Sequence, residues 1–430
     1  MEPLIRDTVL IGSEIDYTET VDPRYHLDLL HIQFFLPFTE ENTAALSLLS
    51  DVIAFAHPKR GTERSLALWM KEYYDVSLDT SVSPLGDRLT FSINVEWLDD
   101  ALAPDGENIT EAVLDWLDGL FFAPAVSGGG YTTPEFLPLR DSLVEYLQFT
   151  ARDPNTRTVR QINAVCYRGE PCAIPLEGTP EDAAALTPQR LYALWNELLH
   201  RTPIQIYSVI PRESPEVLAW IRRRFGALER DAAPLHIAAP SPIKAEPETV
   251  TAYFPDCAES TVHLVYKYKD APVTVISELC DLLDDTAQSL LFTNLREKHS
   301  LCYSCYVDWE WTKNTLTLVC KTDADHMEQV IGLLKEQIEI LQENRFSDAL
   351  LAATEDAIRK ERCEEWDQFL GIATQLQARR LAGLTPFRSF AELQAAELPT
   401  REALTAAANA LVLDTVFLAV GTAEEESHDE

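Results

Sequence analysis

The chain of 430 residues is short of positive charge: 35 lysines and arginines stand against 70 aspartates and glutamates, a formal net charge of −35. That deficit works against nucleic acid or an anionic membrane surface as a partner, since both repel an acidic surface. No run of about 18 apolar residues occurs, so no bilayer-spanning helix is expected. The opening residues MEPLIRDTVLIGSEID lack the basic and apolar regions of a secretory signal, which points to the cytoplasm. The eight cysteines (166, 172, 257, 280, 302, 305, 320 and 363) are too few for a disulfide framework and read as buried thiols in a reducing compartment. With 15 glycines and 25 prolines, neither fibrous repeats nor general disorder fits the composition. The acidic end TAEEESHDE (422–430) reads as a solvated, frayed tail.

Several kinds of catalytic chemistry also lack their signatures. Hydrolysis by zinc needs two or three histidine or carboxylate ligands on one face and a carboxylate base. None of the nine histidines lies three or four residues from another, so no helix can present a histidine pair. Cys302 and Cys305 form the one Cys-x-x-Cys, in a run that reads as a strand and would send the two side chains to opposite faces. No Gly-x-Ser-x-Gly elbow is present, and the glycines of SGGGY (127–131) lack a following Gly-Lys-Ser/Thr, so they read as a flexible connection. A cysteine nucleophile at Cys166, Cys302 or Cys363 stays open, with no local feature favouring one of them.

What is present is a duplication. Residues 230–248, with four prolines and no helical or strand period, read as a linker between a domain at 1–229 and another at 249–430. Each half opens on an apolar β-rich run, LLHIQFFLPF (29–38) or STVHLVYKY (260–268), followed by a helix in 39–56, with Thr39 as its cap, or in 271–285. His31 and His263 take matching places in these runs and read as structural. Next come 65–95 and 289–322, roughly 225 residues apart, each a helix, a strand, a polar turn (Gly86-Asp87; Lys313-Asn314) and a strand. Both halves close on a proline-marked helix and a strand, at 185–210 and 397–421. The middle of the first half reads as helical, at 109–122 and 133–154. The expected fold class is α+β: two homologous domains, each a mostly antiparallel sheet packed with helices.

Arg296 and Tyr303, in LREKHSLCYS (295–304), remain as candidate functional groups: a guanidinium and a phenol can hold a peptide carbonyl or stabilise an oxyanion, but neither supplies a nucleophile. The bland alternative places Arg296 in a last helical turn and packs Tyr303 into a half-buried strand.

The stretch resembles the Leu-Arg-Glu-Lys-x-x-Leu-x-Tyr-Ser segment of insulinase/pitrilysin-type zinc peptidases, and within them the YmfF-like bacterial branch. The resemblance implies two α+β halves closing as a clamshell around a peptide, with Arg296 and Tyr303 as substrate-binding residues. It also implies an inverted zinc motif, His-x-x-Glu-His, which would fall on Ser47-Leu48-Leu49-Ser50-Asp51, and a further glutamate ligand near Tyr146. Neither histidine nor either glutamate is there, and Glu145, one residue from Tyr146, is turned about 100 degrees around a helix. By this likeness the chain is a non-catalytic subunit that binds no zinc itself, pairs with a zinc-motif-bearing paralogue and contributes its Arg/Tyr pair to a peptide substrate. The alternative is an inactive binding or scaffold protein, linked through its branch to modification of elongation factor P. A homodimer of the isolated chain is a further alternative.

Overall fold

The protein's structure, a computed structural model, describes residues 2–237, 239–284, 286–299 and 301–423. Of the acidic tail, 424–430 lie outside the described residues. The chain forms two compact units: unit 1 is Met1–Ala151, Ile174–Ile237 and Glu365–Leu393, and unit 2 is Arg152–Ala173, Ala238–Glu364 and Gln394–Glu430. The continuous halves read from the sequence, 1–229 and 249–430, differ from these units in two segments, 152–173 and 365–393. No helix among the described residues is long and apolar enough to cross a membrane.

Unit 1 is built on a seven-stranded sheet. Its strands are β1 (Leu4–Ile5), β2 (Val9–Gly12), β3 (Ile15–Val21), β4 (Leu27–Pro37), β5 (Ser77–Leu85), β6 (Arg88–Leu98) and β9 (Ile204–Ile210); β7 (Val126–Ser127) and β8 (Gly130–Tyr131) form a separate ribbon. Its helices are α1 (Glu40–Val52), α2 (Glu63–Glu72), α3 (Ile109–Leu117), α4 (Phe136–Thr150), α6 (Pro180–Ala185), α7 (Pro188–Arg201) and α8 (Pro215–Arg224), with α12 (Gly371–Leu381) from the later segment. Unit 2 holds a five-stranded sheet of β10 (Glu248–Phe254), β11 (Ser260–Lys267), β12 (Ser304–Glu310), β13 (Thr315–Thr322) and β14 (Val412–Gly421). Its helices are α5 (Pro154–Cys166), α9 (Val273–Asp284), α10 (Met327–Gln342) and α14 (Arg401–Ala410), while α11 (Asp348–Asp367) and α13 (Phe390–Ala395) run across the unit boundaries.

The duplication is written in the hydrogen bonds. In unit 1 the path β3-β9-β4-β6-β5 has one parallel pair, β3 with β9, and three antiparallel pairs. In unit 2 the path β10-β14-β11-β13-β12 repeats it, with β10 parallel to β14 and the rest antiparallel. His31 on β4 lies opposite Tyr207 of β9, and His263 on β11 lies opposite Phe417 of β14. Both histidines are buried, and burial pushes both below the ordinary imidazole value, His263 to about 4. They are neutral core residues, as their matching positions suggested.

Both faces of each sheet are covered, which is why β4 and β9 are almost wholly buried instead of alternating. On one face of unit 1, Phe34 meets Trp195 of α7 with ring centroids 5.5 Å apart. On the other, Leu29, Tyr207 and Val209 pack against Trp366, Ile372, Leu376 and Leu393, and Gln33 bonds Gln377. In unit 2 the matching cover comes from α5: Ile162, Cys166 and Tyr167 pack on Phe254, Val265, Phe417 and Ala419. These apolar contacts assign 152–173 and 365–393 to the other unit than their neighbours in the chain.

Other details correct the sequence reading. Thr39 does begin α1 in an extended conformation, but its side chain makes no capping bond; its carbonyl takes the amides of Asn42 and Thr43. The glycines at 128 and 129, read as a flexible connection, have φ of 59° and 77° and turn the β7–β8 ribbon, a two-residue hairpin. Strands β1, β2, β3 and β10 were not anticipated. In the coil before α6, Gly178 has φ of +81° and a Cβ there would stand 2.7 Å from the Cβ of Ala44 on α1. Gly178→Ala should therefore cost about 2 kcal/mol through strain and overpacking, read as a lowered denaturant midpoint; an unchanged midpoint would show that the loop is free to shift.

Candidate functional site

The positions on which the resemblance would place zinc ligands lie on two helices that pack against each other. Helices α1 and α4 pack against each other, α1 carrying Ser47, Ser50 and Asp51 and α4 carrying Tyr146. Ser50 donates its hydroxyl to the Ser47 carbonyl at 2.7 Å, and Tyr146 is 54% exposed. Three hydroxyls and one carboxylate offer no imidazole, and among the described residues no trio of His, Cys, Asp or Glu donors converges here. Zinc sites use nitrogen, thiolate and carboxylate donors, so the residues present do not fit the ion.

The segment holding Arg296 and Tyr303 is shaped differently from its sequence reading. Residues Phe292–Glu297 form a π-helical turn, not an α-helix, and β12 begins at Ser304, leaving Tyr303 just outside the strand. Leu295 is fully buried, and the amide of Leu301 bonds its carbonyl at 3.3 Å, closing the loop. Tyr303 N bonds Lys321 O at 2.9 Å, and the Thr322 hydroxyl donates to Leu301 O at 2.5 Å, so the loop is fastened along β13. Arg296 is exposed, its Cζ 5.3 Å from the Phe292 ring centroid, and no carboxylate pairs with it among the described residues. Tyr303 is 54% exposed and its hydroxyl donates to Asp323 at 2.9 Å. The packing of Tyr303 into a half-buried strand is thus not what the chain adopts.

A thiol cluster beside this pair escaped the sequence reading. Cys305 lies directly opposite Cys320 across β12 and β13, and the Cys302 and Cys320 thiols are hydrogen-bonded. Cys302 and Cys305, expected to point apart, both reach Cys320 because Cys302 precedes the strand. The bond to Cys320, with burial, pushes the Cys302 thiol well up, and the Arg296 charge offsets this only in part. A thiol held protonated is a poor nucleophile, which answers the open alternative at Cys302. Burial likewise raises Cys166 to about 11. The signal was in the hairpin: a turn centred on Lys313-Asn314 gives the wrong register, whereas the observed 3₁₀ turn Trp311–Lys313, ending on left-handed Asn314, sets 305 against 320.

Comparison with known proteins agrees with this geometry. A family described as Peptidase M16 inactive domain matches residues 185–358. The protein described as Probable inactive metalloprotease YmfF from Bacillus subtilis (strain 168) is 24% identical over 402 residues, spanning 91% of this chain and 92% of that one. Among solved structures, a conserved protein from Enterococcus faecalis V583 has a TM-score of 0.87 at 19% identity, over 98% of this chain and 99% of its own. A protease from Helicobacter pylori has a TM-score of 0.77 at 13% identity, over 97% and 100%. Two sheets of one repeated topology, a matched domain over residues 185–358 and a relative similar along nearly its whole length liken this chain to inactive paralogues of the peptidase M16 family.

Proposed function

We propose that the chain is the non-catalytic subunit of a heterodimeric zinc peptidase, in which a paralogous partner holds the metal and this chain presents Arg296 and Tyr303 to the peptide. One observation carries the reading: both polar groups are exposed to solvent on a loop anchored by the buried Leu295, while the metal positions hold no ligand set. The guanidinium offers a fork of donors to a carbonyl or carboxylate, and the phenol a single donor to a developing oxyanion. Neither needs zinc in this chain, whose part is to bind and orient the substrate.

The test is hydrolysis of peptides with zinc present, by this chain, by a zinc-motif-bearing paralogue from the same genome, and by the two mixed. Turnover is expected only in the mixture. Arg296→Ala or Tyr303→Phe should leave the subunit folded, since both side chains are exposed, and lower the mixture's turnover about tenfold or more. Unaltered turnover in both variants would remove the composite site.

A second reading has an observation of its own. The Tyr303 hydroxyl is already bonded to Asp323, as it would be in a binding or scaffold protein with no part in hydrolysis, such as one acting in modification of elongation factor P. A paralogue fully active alone, and indifferent to this chain, would favour that reading.

A further inference from the structure

Unit 1 contains a cleft of about 560 Å³ that the paired-peptidase reading does not use. One wall is the stretch His57-Pro58-Lys59-Arg60 after α1; the floor is Trp69 of α2 and Trp116 of α3. In a chain carrying 70 acidic residues, neither Lys59 nor Arg60 forms an ion pair among the described residues. Arg60 stacks with its Cζ 4.8 Å from the Trp69 ring centroid. Burial holds it below the ordinary arginine value, and the nearby Tyr73 and Glu72 offset that only in part.

The hydrogen-bonding groups of this wall point to a missing acceptor. The Nδ1 of His57 accepts the amide of Lys59 at 3.0 Å, so the neutral ring carries its proton on Nε2. The ring is neutral at physiological pH because burial, with the charges of Arg60 and Lys59, lowers it to about 4. The Nη1 of Arg60 stands 3.5 Å from that Nε2, so two donors face each other. Trp116, 1% exposed, has an indole N–H with no acceptor among the described residues. Each buried donor left unmade is costly, and an oxyanion would satisfy several together. His57 is held in place by Gly119, where a Cβ would come within 2.4 Å of its Nε2.

The rest of the cleft narrows the ligand. The Trp69 and Trp116 rings lie 4.6 Å apart and tilted by 38°, and Tyr73 lies 5.3 Å from Trp69 and tilted by 41°, an angled and largely closed apolar floor against which an apolar group can pack. Glu111 and Asp115 of α3 stand exposed on the opposite side, where they oppose a highly charged ligand. We propose that this cleft binds a singly charged carboxylate attached to a small apolar body such as a phenyl group, with Arg60 and His57 holding the carboxylate and the aromatic floor packing against the body. The C-terminal residue of an aromatic-ended peptide and a small aromatic acid share that chemistry.

Calorimetric titration of the full chain separates the outcomes. Hydrocinnamate, and an N-acetylated peptide ending in a free phenylalanine carboxylate, are the probes; hydrocinnamamide and the same peptide as its C-terminal amide are the neutral controls. The expected result is one site per chain, with each acid at least tenfold tighter than its amide, and a loss of at least tenfold in Arg60→Gln. The tighter of the two acids identifies the source. Equal affinity of acids and amides, no binding at millimolar concentration, or unchanged binding by Arg60→Gln would overturn the assignment. Should Arg60→Gln disturb folding, Lys59→Gln at an exposed position takes its place, with a loss of affinity again expected and no change again overturning.

Discussion

Asp414→Ala is expected to lower the stability of unit 2 by about 3 to 5 kcal/mol, because it strands a buried ammonium without its counter-charge. Asp414 is fully buried on β14, and Lys267, 1% exposed on β11, places its Nζ 3.5 Å from the carboxylate. The same carboxylate accepts the amide of Lys244 at 2.9 Å and the hydroxyl of Thr415 at 2.9 Å. Lys267 also donates to Cys166 O at 2.8 Å and Pro242 O at 3.0 Å. One charged pair thus ties the end of α5, Pro242 and Lys244 to the sheet. Because a chain of two units need not unfold in a single step, the measurement is hydrogen exchange resolved by peptide. Amides of β11, β14 and α5 should lose protection together, while those of unit 1 keep theirs. A companion, Lys267→Met with Asp414→Leu, should recover only part of the loss, since the apolar pair removes the unpaired charge but leaves the amide of Lys244 and the carbonyls of Cys166 and Pro242 without these partners. If Asp414→Ala leaves exchange in unit 2 unchanged, the network is decorative.

Glu278→Gln should act in the opposite direction and depend on pH. Glu278, on α9, is 2% exposed, and neither carboxylate oxygen has a donor among the described residues. Burial, then the charges of Glu355 and Asp281, push its carboxyl up to about 7, against the pull of Arg362 and Arg359. Between the ordinary glutamate value and 7 the folded chain keeps a proton that the unfolded chain has lost. Its stabilising effect is therefore complete below pH 4.5 and is lost as pH rises through 7. Above that the ionised, buried group costs about 3 kcal/mol, which a neutral amide avoids. The denaturant midpoint of unit 2 should rise in Glu278→Gln at pH 8 and barely move at pH 5. Parallel pH profiles for the two proteins would mean that water or a neighbouring cation reaches the carboxylate.

How much of this was legible follows from how local each feature is. The turn Gly86-Asp87 could be read because Gly86, with φ of 58°, makes a two-residue hairpin whose register runs unbroken from Leu85–Arg88 to Ser77–Glu96. The order of strands and helices repeats along the chain, so the duplication could be read as well. The parallel pairs β3–β9 and β10–β14 could not, because β9 and β14 lie far along the chain from their partners and nothing in IDYTETV or ETVTAYF names them. The exchange of 152–173 and 365–393 between units was hidden for the same reason: apolar residues on an amphipathic helix declare that they will be buried, not against what. Arg296 and Tyr303 stood out through the resemblance of LREKHSLCYS to a peptidase segment, since spacing alone favoured a packing role. Their display to solvent depends on a π-helical turn and on the anchoring of Leu301 and Tyr303 to β13, contacts between residues up to 21 apart.

The reciprocal ownership of α5 and α12 has a consequence for synthesis on the ribosome. Helix α5 emerges more than two hundred residues before β14, so Ile162, Cys166 and Tyr167 have no finished sheet to cover until β14 has been made. Unit 1 in turn waits for Trp366 and Ile372 before the second face of its sheet is closed. Neither half is a unit of inheritance that could be cut out of the gene and kept: severed at the linker, each fragment would carry a helix belonging to the other and lack its own. Each unit is thus completed only by a piece drawn from the other half of the chain.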